Sequence, residues 1–455
     1  MTEQEQRLDR NEEKHYDIAQ IGLWYGCNYG AILTTYALYR HLTGLGKRVL
    51  LLNQAPIAGN PMYLDTTNIS YRFMERHGVE RSAPLKSDDD FMTLNNRVET
   101  FVVGADQVWR WAYSANQGLF YFLDFVRGDK RKIAYSASFG LDREERPAAS
   151  LAKARYYLQA FDAVSVREQS GLDILEHHYN VHGAWQPDPV FLHEADFYRE
   201  LAGCAAKEAE PYLFAYVLDM TPATLSLVQT VAAARNLQVH IFEDGNRKAQ
   251  KCGGSELPPP EEWLQEIAHC SYFVTDSFHG VCFAHIFNKE FLCTAPALRG
   301  QTRFESLLAY TGLQQRLVTG LSPEDALAVS RQPIDWPMVN TKLATAREQG
   351  RTWLENALNA PRPAWRVILG DLAHEMLYAG FGEKERTPRR EAEVCMNERH
   401  FLTHKLPQLL RLKRFWHRAW MYVTAGNARA RHAARLQELR ALARYLERRN
   451  SRPFR

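Results

Sequence analysis

Apolar runs of three to eight residues recur along the chain. Each closes on a short polar segment, and helical stretches separate them. Residues 16–22 read as a strand, 31–45 as a helix and 46–52 as a second strand. That is a βαβ unit, with the glycine-bearing turn Gly26-Cys-Asn-Tyr-Gly30 at the first strand's carboxyl end. Strands running into loops are predicted over 101–109, 132–140 and 161–168, then a helix over 170–177 and a closing segment at 186–192. After a linker-like stretch at 204–210 the pattern restarts with a strand at 211–218, a helix at 223–235 and a strand at 238–242. A loop follows at 247–260, then a helix at 261–269 whose Trp263, Ile267 and Ala268 face inward, and a strand at 291–294. This alternation predicts α/β architecture: two Rossmann-like domains facing a cleft.

Residues 272–287 organise the second half. Tyr272, Phe273 and Val274 are a short buried β run, and Thr275, Asp276 and Ser277 are turn and N-cap types. Residues 281–287 are apolar nearly all round, which predicts a buried helix. His279 then sits at a strand's carboxyl end beside a helix N-terminus, where open α/β sheets bind ligands and anions are favoured. The blander alternative is a histidine that only caps the helix. Four strands of the first half bring polar residues to the same kind of edge: Asn28 between Gly26 and Gly30, Asp106, the hydroxyls near Ser138, and Arg167 with Glu168. Any one of these could be a satisfied loop residue; together they favour a site.

Charge changes the picture at one end. Residues 401–455 carry 14 Lys and Arg against 2 Asp and Glu, or +12, whereas the other 400 carry 42 against 51, or −9. Leu409, Leu412, Trp416, Trp420 and Val423 share a helical stripe, and Leu436, Leu439, Ala443 and Leu446 form another. A basic helical tail over 359–455, set off by Pro361 and Pro363, is expected to lie on anionic lipid or to pack on the body. No nucleic-acid motif accompanies the charge. The seven cysteines form no CxxC pair and no zinc spacing, which suggests reduced thiols in a cytosol. The charged first 17 residues do not read as a signal peptide, and no apolar run approaches 18 residues, so a cytoplasmic location is expected. The predicted division is a charged segment at 1–15, domains at 16–205 and 206–358, and the tail.

Taken in order, the motifs Gly26-Cys-Asn-Tyr-Gly30, Val103-Gly-Ala-Asp-Gln-Val-Trp109, Ser138-Phe-Gly140, Ser165-Val-Arg-Glu168, Asp188-Pro189, Thr275-Asp-Ser-Phe-His-Gly280 and Arg303-Phe-Glu-Ser-Leu-Leu308 resemble the polysaccharide pyruvyl transferase family from about Tyr16 to Leu358. The tail is outside the resemblance. It implies a glycosyltransferase-B-like fold and transfer of the enolpyruvyl unit of phosphoenolpyruvate onto a sugar of a polysaccharide or lipid-linked glycan. A pyruvate ketal and phosphate would result, with no cofactor or metal. The donor's phosphate and carboxylate call for cations and N–H groups. Arg167 and Arg303 are the expected cations, with Gly26, Asn28 and Gly30 close to a phosphate or sugar hydroxyl. His279 is the expected proton donor to the methylene carbon, kept protonated by the bound anion or by Asp276. Asp106 or Glu168 is the expected base. Well-known members carry Arg where Ser277 stands in the donor site, so Arg167, Arg303 or Arg299 must replace that cation, or the donor differs. Two alternatives stand beside this reading: a nucleotide-sugar glycosyltransferase on a similar fold, and a non-catalytic glycan-assembly protein.

Overall fold

The computed structural model describes residues 14–54, 67–85, 88–115, 118–127, 130–204, 210–243, 257–295 and 300–361. The basic tail, most of the 247–260 loop, and Arg299 lie outside them. Seven strands form the first sheet: β1 (Tyr16–Ile21), β2 (Val49–Gln54), β3 (Arg81–Leu85), β4 (Val98–Gly104), β5 (Arg131–Ala137), β6 (Ala163–Val166) and β7 (Ala184–Trp185), in the order β3-β2-β1-β4-β5-β6-β7. The second sheet has β8 (Tyr212–Val217), β9 (Gln238–Glu243), β10 (Tyr272–Thr275) and β11 (Phe291–Cys293), ordered β11-β10-β8-β9. Every pairing is parallel. Strands buried on both faces read as unbroken apolar runs, which is why the central ones were legible. Edge strand β3, with Pro84 in RSAPL, gave no such signal; Pro is tolerated at an edge because no ladder bond is lost inward.

The helices used below are α1 (Tyr29–Gly44), α2 (Ile69–Arg76), α3 (Asp88–Arg97), α4 (Trp111–Ser114), α5 (Ala148–Leu158), α6 (Ser170–Ile174), α7 (Ala195–Ala202), α8 (Pro222–Arg235), α9 (Pro260–His269), α10 (Phe278–Ile286), α11 (Thr302–Thr311), α12 (Pro323–Ser330) and α13 (Trp336–Asn359). All nine residues of α10 are buried, in line with the buried helix that the nearly all-apolar residues 281–287 predict. Helices α1 and α10 lie in the seam between the two sheets. The largest apolar cluster runs through that seam, joining Leu33, Tyr36 and Leu38 to Phe273, Trp263 and Phe283. Tyr29 stacks on Trp263 at 5.6 Å, and its hydroxyl donates to the Pro258 carbonyl at 2.8 Å. The two halves therefore share one core along the seam, and each keeps a smaller core on its outer side.

Helix α13 crosses back. Its sequence ends the second domain by pattern, but its last turns pack on the first. Arg131, the first residue of β5, donates to the carbonyls of Ala357 at 2.7 Å and Ala360 at 2.6 Å, satisfying groups that a helix C-terminus leaves open. Arg351 donates to the Leu192 carbonyl at 2.6 Å. Tyr135 meets Trp353 at 5.9 Å. The carboxyl ends of both sheets are left facing one another.

Candidate active site

The site begins with a guanidinium. Arg167 follows β6, and its side chain is 1 % exposed. Its Nη2 donates to Asp106 Oδ1 at 2.8 Å and its Nη1 to Asp188 Oδ2 at 2.7 Å. Asp106 is aimed by a tight turn after β4, in which Ala105 (φ 41°) and Asp106 (φ 61°) both adopt left-handed backbone. Two such residues in succession cost of order 1–3 kcal/mol each. The turn is held by Ala105 N–H to Tyr135 O (3.2 Å) and by Ser138 N–H to Asp106 O (3.0 Å). Asp188 starts the short turn Pro189–Leu192; its Oδ1 accepts from Thr34 Oγ1 at 2.6 Å and from the Val190 amide at 3.2 Å.

His279 arrives from the other sheet. Ser277 is the N-cap of α10 and accepts from the Gly280 amide at 3.3 Å, placing His279 in the helix's first turn. Its Nε2 lies 3.4 Å from Asp188 Oδ2 and 3.4 Å from Arg167 Nη1. The ring so has a partner in either protonation state: the carboxylate for an imidazolium N–H, the guanidinium for an imidazole lone pair. Its other edge rests on Gly30 of α1, where a Cβ would overlap Nδ1 and Cγ. Glycine is required at 30 because a histidine from the opposite sheet occupies the side-chain space.

Two more groups complete the cluster. Glu168 is fully buried, and its Oε1 accepts from the amides of Phe139 at 2.7 Å and Gly140 at 3.3 Å. Arg303, on α11, is 6 % exposed, and its Cζ lies 5.3 Å from the Phe278 ring centroid. Arg167 approaches the same ring at 4.7 Å, so Phe278 is contacted by both guanidinium groups. Trp185, Phe191, Leu307 and Tyr310 line an apolar crevice against Arg167 and Asp188, which keeps the local dielectric low.

Protonation follows from these contacts. Burial raises the Asp188 carboxyl, but His279 and Arg167 outweigh it and hold it well below the usual carboxylate range. Burial likewise raises Asp106, and Arg167, His279 and Arg303 bring it below its ordinary value. Glu168 goes the other way: burial dominates and pushes its carboxyl up. Burial opposes charge on Arg167, yet Asp106 and Asp188 raise its affinity for the proton. Burial, followed by repulsion from Arg167, lowers Arg303 to about 10.

Of the residues singled out by sequence, His279, Arg167, Asp106, Glu168, Arg303 and Gly30 come together. Asn28 is the N-cap of α1, its side chain accepting from the Ala31 amide at 3.1 Å. Gly26, at φ 111°, shapes the turn before it. Ser277 is occupied as a cap. Asp276 binds the neighbouring strand: its two oxygens accept from the amides of Leu218 (2.6 Å) and Asp219 (2.8 Å), tying the end of β10 to the end of β8. A carboxylate three residues before a first-turn histidine need not face it, since the cap directs it toward the neighbouring strand. The carboxylate beside His279 is Asp188, ninety-one positions upstream, a partnership that no local spacing announces.

Residues 28–296 match the sequence profile of the polysaccharide pyruvyl transferase family. The chain belongs to that family. It is a polysaccharide-modifying transferase. No curated protein matches it in sequence. Solved structures to which it is similar include a glycosyltransferase from Rickettsia africae (9 % identity, TM-score 0.41, covering 80 % of this chain and 98 % of that one). Others are the E. coli ADP-heptose lipopolysaccharide heptosyltransferase II (12 %, 0.32, 72 % and 99 %) and a Polygonum tinctorium UDP-glucosyltransferase (8 %, 0.41, 76 % and 99 %). None of these likenesses carries a functional argument. Within the stretch that matches the pyruvyl transferase family, the sequence signal for Asp188 is the Asp188-Pro189 pair. Among the described residues there is no cluster of three or more His, Cys, Asp or Glu placed to hold a metal, and no helix long and apolar enough to cross a membrane.

Proposed function

We propose that this transferase uses phosphoenolpyruvate to form a pyruvate ketal on a glycan. The observation that carries this reading is His279, poised between Asp188 and Arg167 where the carboxyl ends of both sheets meet. A first sugar hydroxyl attacks the substituted carbon of the donor, losing its proton to Glu168, whose raised affinity makes it a better base than Asp106. His279 gives a proton to the methylene carbon, which becomes methyl. The carbon–oxygen bond to phosphate breaks, a second sugar hydroxyl takes its place, and that hydroxyl's proton leaves with inorganic phosphate. Arg303 and Arg167, with the α10 N-terminus, face the donor's charge. Arg303, buried and sharing the Phe278 ring with Arg167, is the proposed stand-in for the cation absent at Ser277.

The deciding experiment incubates the enzyme with phosphoenolpyruvate and lipid-linked or free oligosaccharides. Phosphate release together with a new ketal methyl signal in the glycan supports the reading. Release of a nucleoside diphosphate from a nucleotide sugar, with phosphoenolpyruvate inert, sinks it. The +12 tail is proposed to hold the enzyme reversibly at an anionic membrane surface, in the plane where a lipid-linked acceptor diffuses.

A further inference from the structure

The turn after β4 does more than aim Asp106. It runs into α4, which carries Trp111 and Tyr113. Tyr113 is 42 % exposed, and it is the one aromatic ring among the large exposed apolar side chains of the described residues. The ring is nevertheless held. Arg110 places its Cζ 4.7 Å from the centroid, and Arg110 Nη1 donates to the Tyr113 hydroxyl at 3.4 Å. Arg110 is itself buried and donates to Gln107 Oε1 at 2.9 Å. Beside it, Arg146 lies over Trp111 at 4.9 Å and over Phe122 at 4.7 Å.

This group touches the buried site. Gln107 and Arg110 close over Gly140, where a Cβ would lie 2.8 Å from Arg110 Cδ and overlap the Gln107 amide. The Gly140 amide donates to Glu168 Oε1. From the second half, Gly300 packs against the Gly140 carbonyl so closely that a Cβ there would overlap it. A continuous line of contacts therefore runs from Glu168, through Gly140, to Gln107 and Arg110, and ends at the exposed phenol ring of Tyr113.

We propose that Tyr113 is the acceptor platform: a pyranose ring of the glycan stacks its C–H face on the exposed face of the phenol. A rigid aromatic ring, with only two side-chain torsions, offers apolar area at low entropic cost. A pyranose has an apolar face and a polar rim; Arg110 lies against the Tyr113 ring, and Arg110 is itself bonded to Gln107 Oε1 and lies 3.8 Å, by its Nε, from Glu145 Oε2. Stacking here holds the sugar at the outer end of the line that leads to Glu168, the proposed base for its hydroxyl. The inference rests on the glycan-acceptor reading, and names where that acceptor is gripped.

The test uses the full-length enzyme and binding alone. Saturation-transfer NMR is recorded with methyl pyranosides of the glucose, galactose, mannose and N-acetylhexosamine series, beside thermal shifts with phosphoenolpyruvate. Ring-proton transfer to at least one pyranoside is expected from the wild type and from Tyr113→Phe. Tyr113→Ala should weaken that pyranoside about tenfold, the size an aromatic face contributes, with an unchanged circular dichroism spectrum. The thermal shift by phosphoenolpyruvate should stay as in the wild type. Equal pyranoside affinity in Tyr113→Ala overturns the proposal, as does absence of transfer from the wild type to every pyranoside. Failure of phosphoenolpyruvate to shift the wild-type midpoint would instead count against the donor reading and leave the platform test standing.

Discussion

Gly30 and Asp188 both act through His279, and they separate by substitution. Gly30→Ala drives a methyl group into the imidazole. The ring has to move, and displacement of a reacting group by about 1 Å costs on the order of 100-fold in rate. We expect kcat to fall by that order while unfolding loses about 1–3 kcal/mol, the usual cost of overpacking; undiminished kcat would mean that His279 is not used where it lies. Asp188→Asn keeps the shape and removes the charge. Arg167 and His279 then lose a buried counter-charge, and a buried pair broken on one side costs about 3–5 kcal/mol. The pH dependence follows the direction of the shift. A carboxyl held below its ordinary value stabilises the fold above the unfolded value of roughly 3.9, and that contribution is lost as pH falls through the lower folded value. Urea unfolding between pH 7 and pH 3 should therefore show a shallower acid loss in Asp188→Asn than in the wild type. Parallel curves would show that Asp188 is not held low.

Helices α1, α10 and α13 do different work. The first two lie in the seam, and their apolar residues face both sheets, so little amphipathic pattern survives in either. Helix α13 is a strap. Arg131 holds its end through two carbonyls and Arg351 holds its middle through Leu192. Arg131→Ala should lower the urea midpoint at unchanged m, losing roughly 1.5–3 kcal/mol for hydrogen bonds from a charged group, and leave phosphoenolpyruvate affinity as it was. A drop in m with the midpoint would mean that the helix detaches and the halves unfold separately. The strap also ties the second half back to the first sheet, through Arg131 at its end and Leu192 at its middle.

For the molecule as a whole, an acidic body carries a basic extension. Each basic residue near anionic lipid contributes about 1 kcal/mol, screened over ~8–10 Å at physiological salt. Co-sedimentation of the full chain with phosphatidylserine vesicles should be strong at low salt and fall steeply by 0.5 M. Chain ending at Pro361 should stay in the supernatant and keep activity on a soluble glycan. Equal co-sedimentation of the two would remove the tail from membrane binding and leave it a packing element of the body.

What the sequence by itself determined is what local physics writes into it. Parallel strands buried on both faces must be apolar runs, turns at their carboxyl ends need Gly, Asp and Ser, and a helix sunk between two sheets must be apolar all round. From these come the α/β class, the order of the central elements, and the edge on which His279, Arg167, Glu168 and Asp106 fall. The tertiary structure decided which of those residues meet. Asp276 stands three places from His279 and turns to the amides after β8, whereas Asp188, in a segment closing the other half, meets the imidazole. Gly30 read as a turn glycine until the packing showed His279 in its place. Charges and close contacts act through space over a few ångströms, and separation along the chain says little about them once two sheets have closed on a shared core.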